Sequence, residues 1–325
     1  MNSLFDISGL RIDLDAHGDR LSPVGPVDLT LAKDECLGIV GESGSGKSLT
    51  LKALLGLLPD GLSMGAGQIR IEKGGDLVAC QPERLRGHRV GLISQEPGAA
   101  LDPLMRVGGL IAEVVQRHAG CSRTEAAARA VDLMRQVGIP DPERRARFWP
   151  HELSGGLKQR IVIAMALACD SDILLCDEPT TALDVTIQAQ IIRLLRDLRD
   201  KRSLSLIFVT HDLALIHEIA DRVAVMYAGL IVETGPTEAV FADPRHPYTR
   251  ALLAAIPDMD SPDADLQPIA GAPPAATEFG EGCRFAPRCR MSSAACVAGQ
   301  PELEPTGAGT QVACVNWRRS EKDAP

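Results

Sequence analysis

Three observations predict an α/β fold with a doubly wound core. First, Gly41-Glu42-Ser43-Gly44-Ser45-Gly46-Lys47-Ser48 has the form G-x-x-x-x-G-K-[ST] of a phosphate-binding loop. It lies between a short apolar run, Leu37-Gly38-Ile39-Val40, and the segment from Leu49 to Leu58, whose apolar spacing is helical and which Pro59 ends. Second, strand-length apolar runs alternate with amphipathic segments beyond the loop, the pattern of a parallel sheet with helical crossovers. Third, hydrophobic residues make up 45% of the 325 residues and aromatics 3%, so packed cores are expected and they are aliphatic. This length suits about two domains.

The elements follow in order. Residues 4–14 and 24–31 show partial alternation and read as strands of a β-rich N-terminal layer, the second interrupted by Pro23 and Pro26. After the loop and its helix, Gly61, Gly65 and Gly67 read as a turn cluster, and Gln68–Ile71 as a short strand. Arg89 to Ser94 is another strand, ending at Gln95-Glu96-Pro97. Segments 107–117 and 124–137 have helical spacing, with Thr124 as the expected N-cap, and form a helical insert. Leu157 to Ala168 is an apolar helix, and Asp172 to Pro179 a buried strand ending in two carboxylates. Val185 to Asp200 is an amphipathic helix. Ser203 to Thr210 is a buried strand that delivers His211, and Leu213 to Ala220 is a helix. Val223–Tyr227 and Leu230–Thr234, joined at Ala228-Gly229, read as a hairpin. Residues 257–282 are rich in Pro, Ala, Gly and Asp and read as a linker into a small module at about 283–317 with a polar tail.

Glycines in the loop let backbone N–H groups turn inward around phosphate oxygens, and the following helix N-terminus adds positive potential. Lys47 suits the β- and γ-phosphates, and the Ser48 hydroxyl suits Mg²⁺. A glycine turn without a ligand is the plainer alternative, and the strand–loop–helix setting disfavours it. A net charge of −9 argues against nucleic acid as a main partner. The run Ile161–Cys169 is far shorter than the ~20 residues that cross a bilayer. MNSLFDISGL has neither a basic n-region nor a long apolar core, so a cytoplasmic protein is expected, one that docks onto whatever spans the membrane.

Six elements stand in fixed order: residues 41–48, Gln95, Leu153-Ser154-Gly155-Gly156, Asp177-Glu178, Ala182-Leu183-Asp184 and His211. Together they resemble the ATPase subunits of ABC transporters, over about residues 4–250. Pro150-His151-Glu152-Leu153-Ser154-Gly155-Gly156, Leu183-Asp184-Val185-Thr186-Ile187-Gln188-Ala189-Gln190 and His246-Pro247-Tyr248-Thr249-Arg250-Ala251-Leu252 resemble the dipeptide/oligopeptide importer branch, which also takes in nickel. The resemblance implies a P-loop NTPase core of ABC ATPase type, with an antiparallel β layer and a helical subdomain at about 98–153. It implies an ATPase domain over 1–256, and a linker with a four-cysteine C-terminal extension over 257–325.

It also implies roles. Asp177 and Ser48 would hold Mg²⁺, with Gln95 completing the metal and water contacts. Glu178 would be general base or orienter of the attacking water, and His211 would contact the γ-phosphate. Ser154, Gly155 and Gly156, at a helix start suited to an anion, would act on ATP held by a second ATPase subunit packed head to tail, with Asp184 communicating across that interface. The partners implied are that second subunit, a paralogue by preference, two transmembrane permease subunits, and indirectly an external solute-binding protein. The expected place is the cytoplasmic face of the inner membrane, as a peripheral subunit that drives peptide uptake. The alternatives are import of another solute such as nickel, and an ABC ATPase outside transport, which would usually carry two cassettes or a long coiled coil. A non-enzymatic iron–sulfur or regulatory protein is disfavoured by the intact Glu178 and His211. One departure concerns adenine. The family usually places an aromatic residue upstream of the loop, whereas between Ser8 and Lys33 this chain has only His17, which leaves an aliphatic contact from Ile12 or Leu14.

Four of the nine cysteines, Cys283, Cys289, Cys296 and Cys314, lie near the end. Gly282-Cys283-Arg284-Phe285-Ala286-Pro287-Arg288-Cys289 resembles the C-terminal extension of peptide-importer ATPases, some of which carry a [4Fe–4S] cluster. The cysteines are therefore expected to converge on one such cluster of structural role. Zinc, whose sites usually show paired C-x₂₋₄-C spacings, and plain thiols are the alternatives.

Overall fold

The computed structural model describes residues 3–16, 19–255 and 269–318. At its start, β1 (Ser3–Ala16) and β2 (Asp19–Ala32) pair antiparallel. Pro23 and Pro26 fit in β2 because it is the edge of its sheet, where a missing N–H breaks no ladder bond. Next, β3 (Cys36–Val40) enters a second sheet and delivers the phosphate loop, and α1 (Lys47–Leu54) leaves it. β4 (Leu62–Lys73) returns to pair with β1, and β5 (Asp76–Ala79) completes the first sheet in the order β2-β1-β4-β5. β4 is much longer than the expected Gln68–Ile71. Gly65 and Gly67 belong to it rather than to a turn, because they are points of close approach: a Cβ on Gly67 would stand 2.6 Å from the Leu10 Cα.

β6 (Val90–Ile93) leads into the helical insert, built of α2 (Pro97–Ala100), α3 (Val107–Ala119), α4 (Arg123–Gln136) and α5 (Pro142–Arg145). The cap of α4 is Ser122, not Thr124. The Ser122 hydroxyl accepts the Glu125 N–H at 3.3 Å and the Glu125 carboxylate accepts the Ser122 N–H at 2.9 Å. This reciprocal box needs Glu three residues after the cap, which Ser122 has and Thr124 lacks. α6 (Gly155–Leu167) then returns to β7 (Ile173–Asp177), followed by α7 (Val185–Arg202), β8 (Ser205–Thr210), α8 (Leu213–Ile219), β9 (Arg222–Tyr227) and β10 (Leu230–Pro236). Two helices, α9 (Thr237–Ala242) and α10 (Pro247–Ala254), carry the chain to residue 255. After it resumes come α11 (Ala294–Ala298), β11 (Glu304–Gly307) and β12 (Thr310–Val312).

The second sheet runs β11-β12-β10-β9-β3-β8-β7-β6, and pairing is parallel from β9 through β3, β8 and β7 to β6. Its central strands are buried on both faces, as crossover helices require. Cys36, Leu206, Phe208, Leu174 and Cys176 face a core shared with α3, α4, α6, α7 and α8. Leu37, Ile39, Ile207, Val209 and Leu175 face the opposite core, under α1 and the first sheet. Burial of each such aliphatic side chain contributes roughly 1.5–3 kcal/mol. The β11–β12 hairpin has no counterpart in the sequence reading. Its strands are three and four residues long and one contains Pro305, so no alternation announces them. They form by adding β12 to the edge of β10, with Glu233 opposite Val312. Residues 257–268 of the expected linker, and the tail beyond Arg318, lie outside the described residues.

Candidate functional site

The loop between β3 and α1 is tight. A Cβ on Gly41 would lie 2.0 Å from the Met226 carbonyl oxygen of neighbouring β9, so no larger residue fits. Lys47 is 4% exposed. Its ammonium donates to the carbonyls of Gly41 at 2.8 Å and Glu42 at 2.9 Å, and to Ser45 Oγ at 3.4 Å. Burial pushes the Lys47 pKa down, while the carboxylates of Glu178, Asp177 and Glu42 oppose the shift. The positive charge thus sits at the centre of a ring of oxygens. Ser45 is buried and turned toward Lys47, whereas Gly41–Gly44 and Gly46–Ser48 wall an open cleft.

Asp177, the last residue of β7, lies across from the start of α1, and its Oδ1 accepts the Ser48 hydroxyl at 2.6 Å. Burial raises the Asp177 pKa, and the Ser48 hydrogen bond and the charges of Lys52 and Lys47 pull it back. A hydroxyl and a carboxylate in contact are the hard oxygen donors that Mg²⁺ accepts, so the residues present fit that ion.

Glu178 follows with φ +45°, a left-handed conformation costly for a non-glycine residue and common at functional sites. Its N–H donates to the Val209 carbonyl at 3.0 Å. Its Oε2 gathers three partners: the Thr181 hydroxyl at 2.8 Å, His211 Nδ1 at 3.3 Å and the Gln95 amide at 3.4 Å. Gln95, Glu178, Thr181 and His211 line the same cleft as the phosphate loop. Three separated stretches of sequence, at Gln95, Glu178–Thr181 and His211, thereby meet at one carboxylate. Gln95 donates to Glu178, and among the described residues no hydrogen bond joins it to Ser48 or Asp177. Thr181 was missed by sequence reasoning, although a hydroxyl three residues after a carboxylate at a strand end is a recognisable local pattern.

Ser154, Gly155, Gly156 and Asp184 do not line this cleft. Ser154 caps α6 by position, but its exposed hydroxyl makes no capping hydrogen bond. Gly156 packs on α7, where a Cβ would lie 2.7 Å from Ile187 Cγ2. Asp184 caps α7, accepting the Ile187 N–H at 3.0 Å. The start of α6 therefore carries an exposed hydroxyl that no capping bond uses and, as at any helix start, first-turn N–H groups without intrahelical partners.

Of the expected adenine contacts, Ile12 is fully buried between sheet layers, Leu14 is half-buried and does not line the cleft, and His17 lies outside the described residues. The cleft instead receives Leu252 of α10 and Pro273 from the C-terminal part of the chain. Sequence reasoning did not bring these to the nucleotide loop.

The four late cysteines line one small pocket, with His246, Phe285 and Asn316. Burial pushes the Cys283 thiol up and the Cys314 thiol up to about 11. The chemistry of the donor set suits an iron–sulfur cluster, but the arrangement does not: among the described residues, no group of three or more His, Cys, Asp or Glu side chains is disposed to hold a metal ion. Cys296 is buried, with its Sγ 3.4 Å from Asn316 Nδ2 and 3.5 Å from Ser293 Oγ, and Cys283, Cys289 and Cys314 are half-buried.

Comparison with known proteins agrees with this architecture. Residues 24–181 match the family described as ABC transporter, and residues 232–296 the one described as oligopeptide/dipeptide transporter, C-terminal region. A protein of Brucella abortus (strain 2308), named for peptide import and ATP binding, is 47% identical over 307 residues, covering 94% of this chain and 92% of that one. A similarly named protein of Brucella melitensis biotype 1 is 43% identical over 329 residues, 97% of each chain. A dimeric ATP-binding cassette solved in a post-hydrolysis state with ADP and phosphate is 25% identical, with TM-score 0.62 over 72% of this chain and 98% of that one. A component of an ABC transporter complex from Clostridium perfringens, 23% identical over 75% of this chain and 92% of that one, shares the fold at TM-score 0.61. The two family matches and relatives 43–47% identical across almost the whole chain, together with the phosphate loop beside Glu178, show that the chain belongs to the ABC transporter family, as an ATPase of the branch that carries the oligopeptide/dipeptide transporter C-terminal region.

Proposed function

We propose that this chain is the ATP-hydrolysing subunit of an importer for di- and oligopeptides, with Glu178 activating the attacking water. The observation that carries the reading is the meeting of Gln95, Thr181 and His211 on Glu178 Oε2 beside the phosphate loop. ATP would lie with its phosphates along residues 41–48, and Lys47 would exchange its loop carbonyls for phosphate oxygens. Ser48 and Asp177 would hold Mg²⁺, which draws charge from the phosphates when bound. Glu178 then takes a proton from water, while Thr181, Gln95 and His211 fix the carboxylate and the water. Gln95 acts in this scheme through Glu178 first and the metal second. Ser154, Gly155, Gly156 and Asp184 face a second ATPase subunit and complete its site.

Two permease subunits span the membrane, a solute-binding protein delivers the peptide outside, and this chain sits peripherally on the cytoplasmic face. Among the described residues no helix is long and apolar enough to cross a membrane. Residues 1–256 form the ATPase domain, with its helical subdomain at about 98–153, and 257–325 the linker and C-terminal extension. The peptide substrate rests on the relatives' names and on the C-terminal region match. Phosphate release by the complex, with and without a peptide-loaded binding protein, tests the reading. Turnover that ignores both the permease and the peptide refutes it.

The same proposal extends to the cysteines, as ligands of a [4Fe–4S] cluster, with zinc as the rival. Its support is that all four line one pocket, and binding would require them to draw together. Anaerobic protein carrying about four irons per chain would uphold it, and colourless protein with one zinc or no metal would end it.

A further inference from the structure

We infer that Arg288, in the four-cysteine segment, is a positioning residue for the phosphate loop. It neutralises the one carboxylate within that loop and couples the C-terminal region to ATP affinity. The inference rests on the reading of the cleft as an ATP site.

Glu42 is the second residue of the loop, 246 positions from Arg288. Its carboxylate accepts both terminal nitrogens of Arg288, at 2.7 Å from Nη1 and 3.0 Å from Nη2, a bidentate pair. The Arg288 side chain is 5% exposed and that of Glu42 26%, so the guanidinium is buried while the carboxylate stays open to the cleft. The Arg288 Nε also donates to Ala270 O at 2.9 Å, Nη1 to the Tyr227 hydroxyl at 3.4 Å, and Nη2 to Gly271 O at 3.2 Å and Ile269 O at 3.4 Å. Arg288 therefore ties the loop to residues 269–271, two positions before Pro273, which walls the nucleotide cleft. A second tie runs in parallel: the Glu42 N–H donates to the Tyr248 hydroxyl at 2.9 Å, and Tyr248, Tyr227 and Phe285 pack ring against ring.

The electrostatic reason is direct. A loop that receives a polyanionic triphosphate gains nothing from its own carboxylate. Left unpaired, Glu42 would repel the phosphates and draw on Lys47, whose ammonium already feels it. Arg288 removes that repulsion from the side away from the ligand and fixes the loop backbone. Because Arg288 adjoins Cys289 and Phe285 packs against the same aromatic group, the packing of the cysteine segment and nucleotide affinity become one linked equilibrium. Sequence alone offers no signal for this, since Glu42 and Arg288 lie at opposite ends of the chain.

The test is equilibrium ATP binding by the full-length chain at low and moderate salt, in a double-mutant cycle. Arg288→Gln should weaken ATP binding by about tenfold, the scale of a coupling between residues in direct contact. The loss should be larger at low salt, where Glu42 repels phosphate least screened. In a Glu42→Gln background the same change should cost less than about twofold, because no charge remains to neutralise. Arg288→Lys, which keeps the charge but not the fork, should fall between and covers the case in which the glutamine variant misfolds. An unchanged ATP affinity in Arg288→Gln, or an equal loss in both backgrounds with no salt dependence, overturns the inference and leaves the ATP site standing. Failure of the unaltered chain to bind ATP overturns the ATP site itself, and the inference with it.

Discussion

Glu178→Gln isolates the chemical step proposed for the cleft. The substitution keeps the size of the side chain and the left-handed backbone at this position, φ +45°. An amide oxygen can still accept the Thr181 hydroxyl, which donates to the carboxylate at 2.8 Å. What disappears is the negative charge on which Gln95 and His211 converge, at 3.4 and 3.3 Å, and with it the ability to take a proton from water. General-base groups supply about 10²- to 10⁴-fold in rate, equivalent to about 3–5 kcal/mol of barrier. Turnover by the assembled transporter should fall by at least about a hundredfold, while ATP affinity stays the same or tightens, because a carboxylate near the phosphates is gone. Thr181→Val, which leaves the base but releases its orientation, should cost less, about ten- to a hundredfold at most, the scale of one hydrogen bond to a charged group. Steady-state phosphate release and nucleotide retention after gel filtration read both effects. Near-normal turnover in Glu178→Gln would remove Glu178 from its role, and equal losses in the two variants would show that geometry rather than proton transfer matters.

Three further expectations follow. Lys47→Ala should weaken ATP binding by more than about tenfold, since it removes a charge-assisted contact worth about 1.5–3 kcal/mol; isothermal titration of the isolated subunit checks it. Ser154→Arg should leave ATP binding by this chain within about twofold while stopping hydrolysis in the assembled complex, because Ser154 is exposed and outside its own cleft; loss of ATP binding in the isolated subunit would contradict the head-to-tail arrangement. His246 is buried and accepts the Tyr248 N–H at 3.0 Å as the cap of α10, and burial with the nearby Arg250 charge lowers its pKa to about 3. Only the unfolded chain binds that proton between the ordinary histidine range and pH 3. Stability should therefore be lost as pH falls below about 6.5, by up to about 1.4 kcal/mol per pH unit from this group. Denaturant titrations at pH 7 and pH 5 should show a smaller loss for His246→Asn, which keeps an acceptor but does not titrate, and an equal loss would exclude His246 as the source.

Much of this protein was legible in the amino-acid order, because its signals are local. A glycine loop between an apolar strand and a helix, a carboxylate pair ending an apolar run, and runs of period 2 and 3.6 state the P-loop core, the helical insert and the positions of Gln95, Asp177, Glu178 and His211. These depend on backbone sterics and on side chains a few residues apart. Local signals also misplaced details. Gly65 and Gly67 looked like a turn and are points where β4 crosses close to β1. Thr124 looked like a cap, and the reciprocal hydrogen bonds chose Ser122. What only the tertiary structure decided is everything carried by contacts between distant segments. Strand β12 exists because the edge of β10 supplies its hydrogen bonds, and β11 in turn pairs with β12. Thr181 joins His211 on Glu178, Ile12 is withdrawn into a core, and Leu252 and Pro273 reach the nucleotide cleft. The four cysteines, spread over more than thirty positions, come to line one pocket. The Glu42–Arg288 pair spans 246 positions, and no periodicity or motif encodes it, because an ion pair is set by where folding places two charges and not by their spacing along the chain.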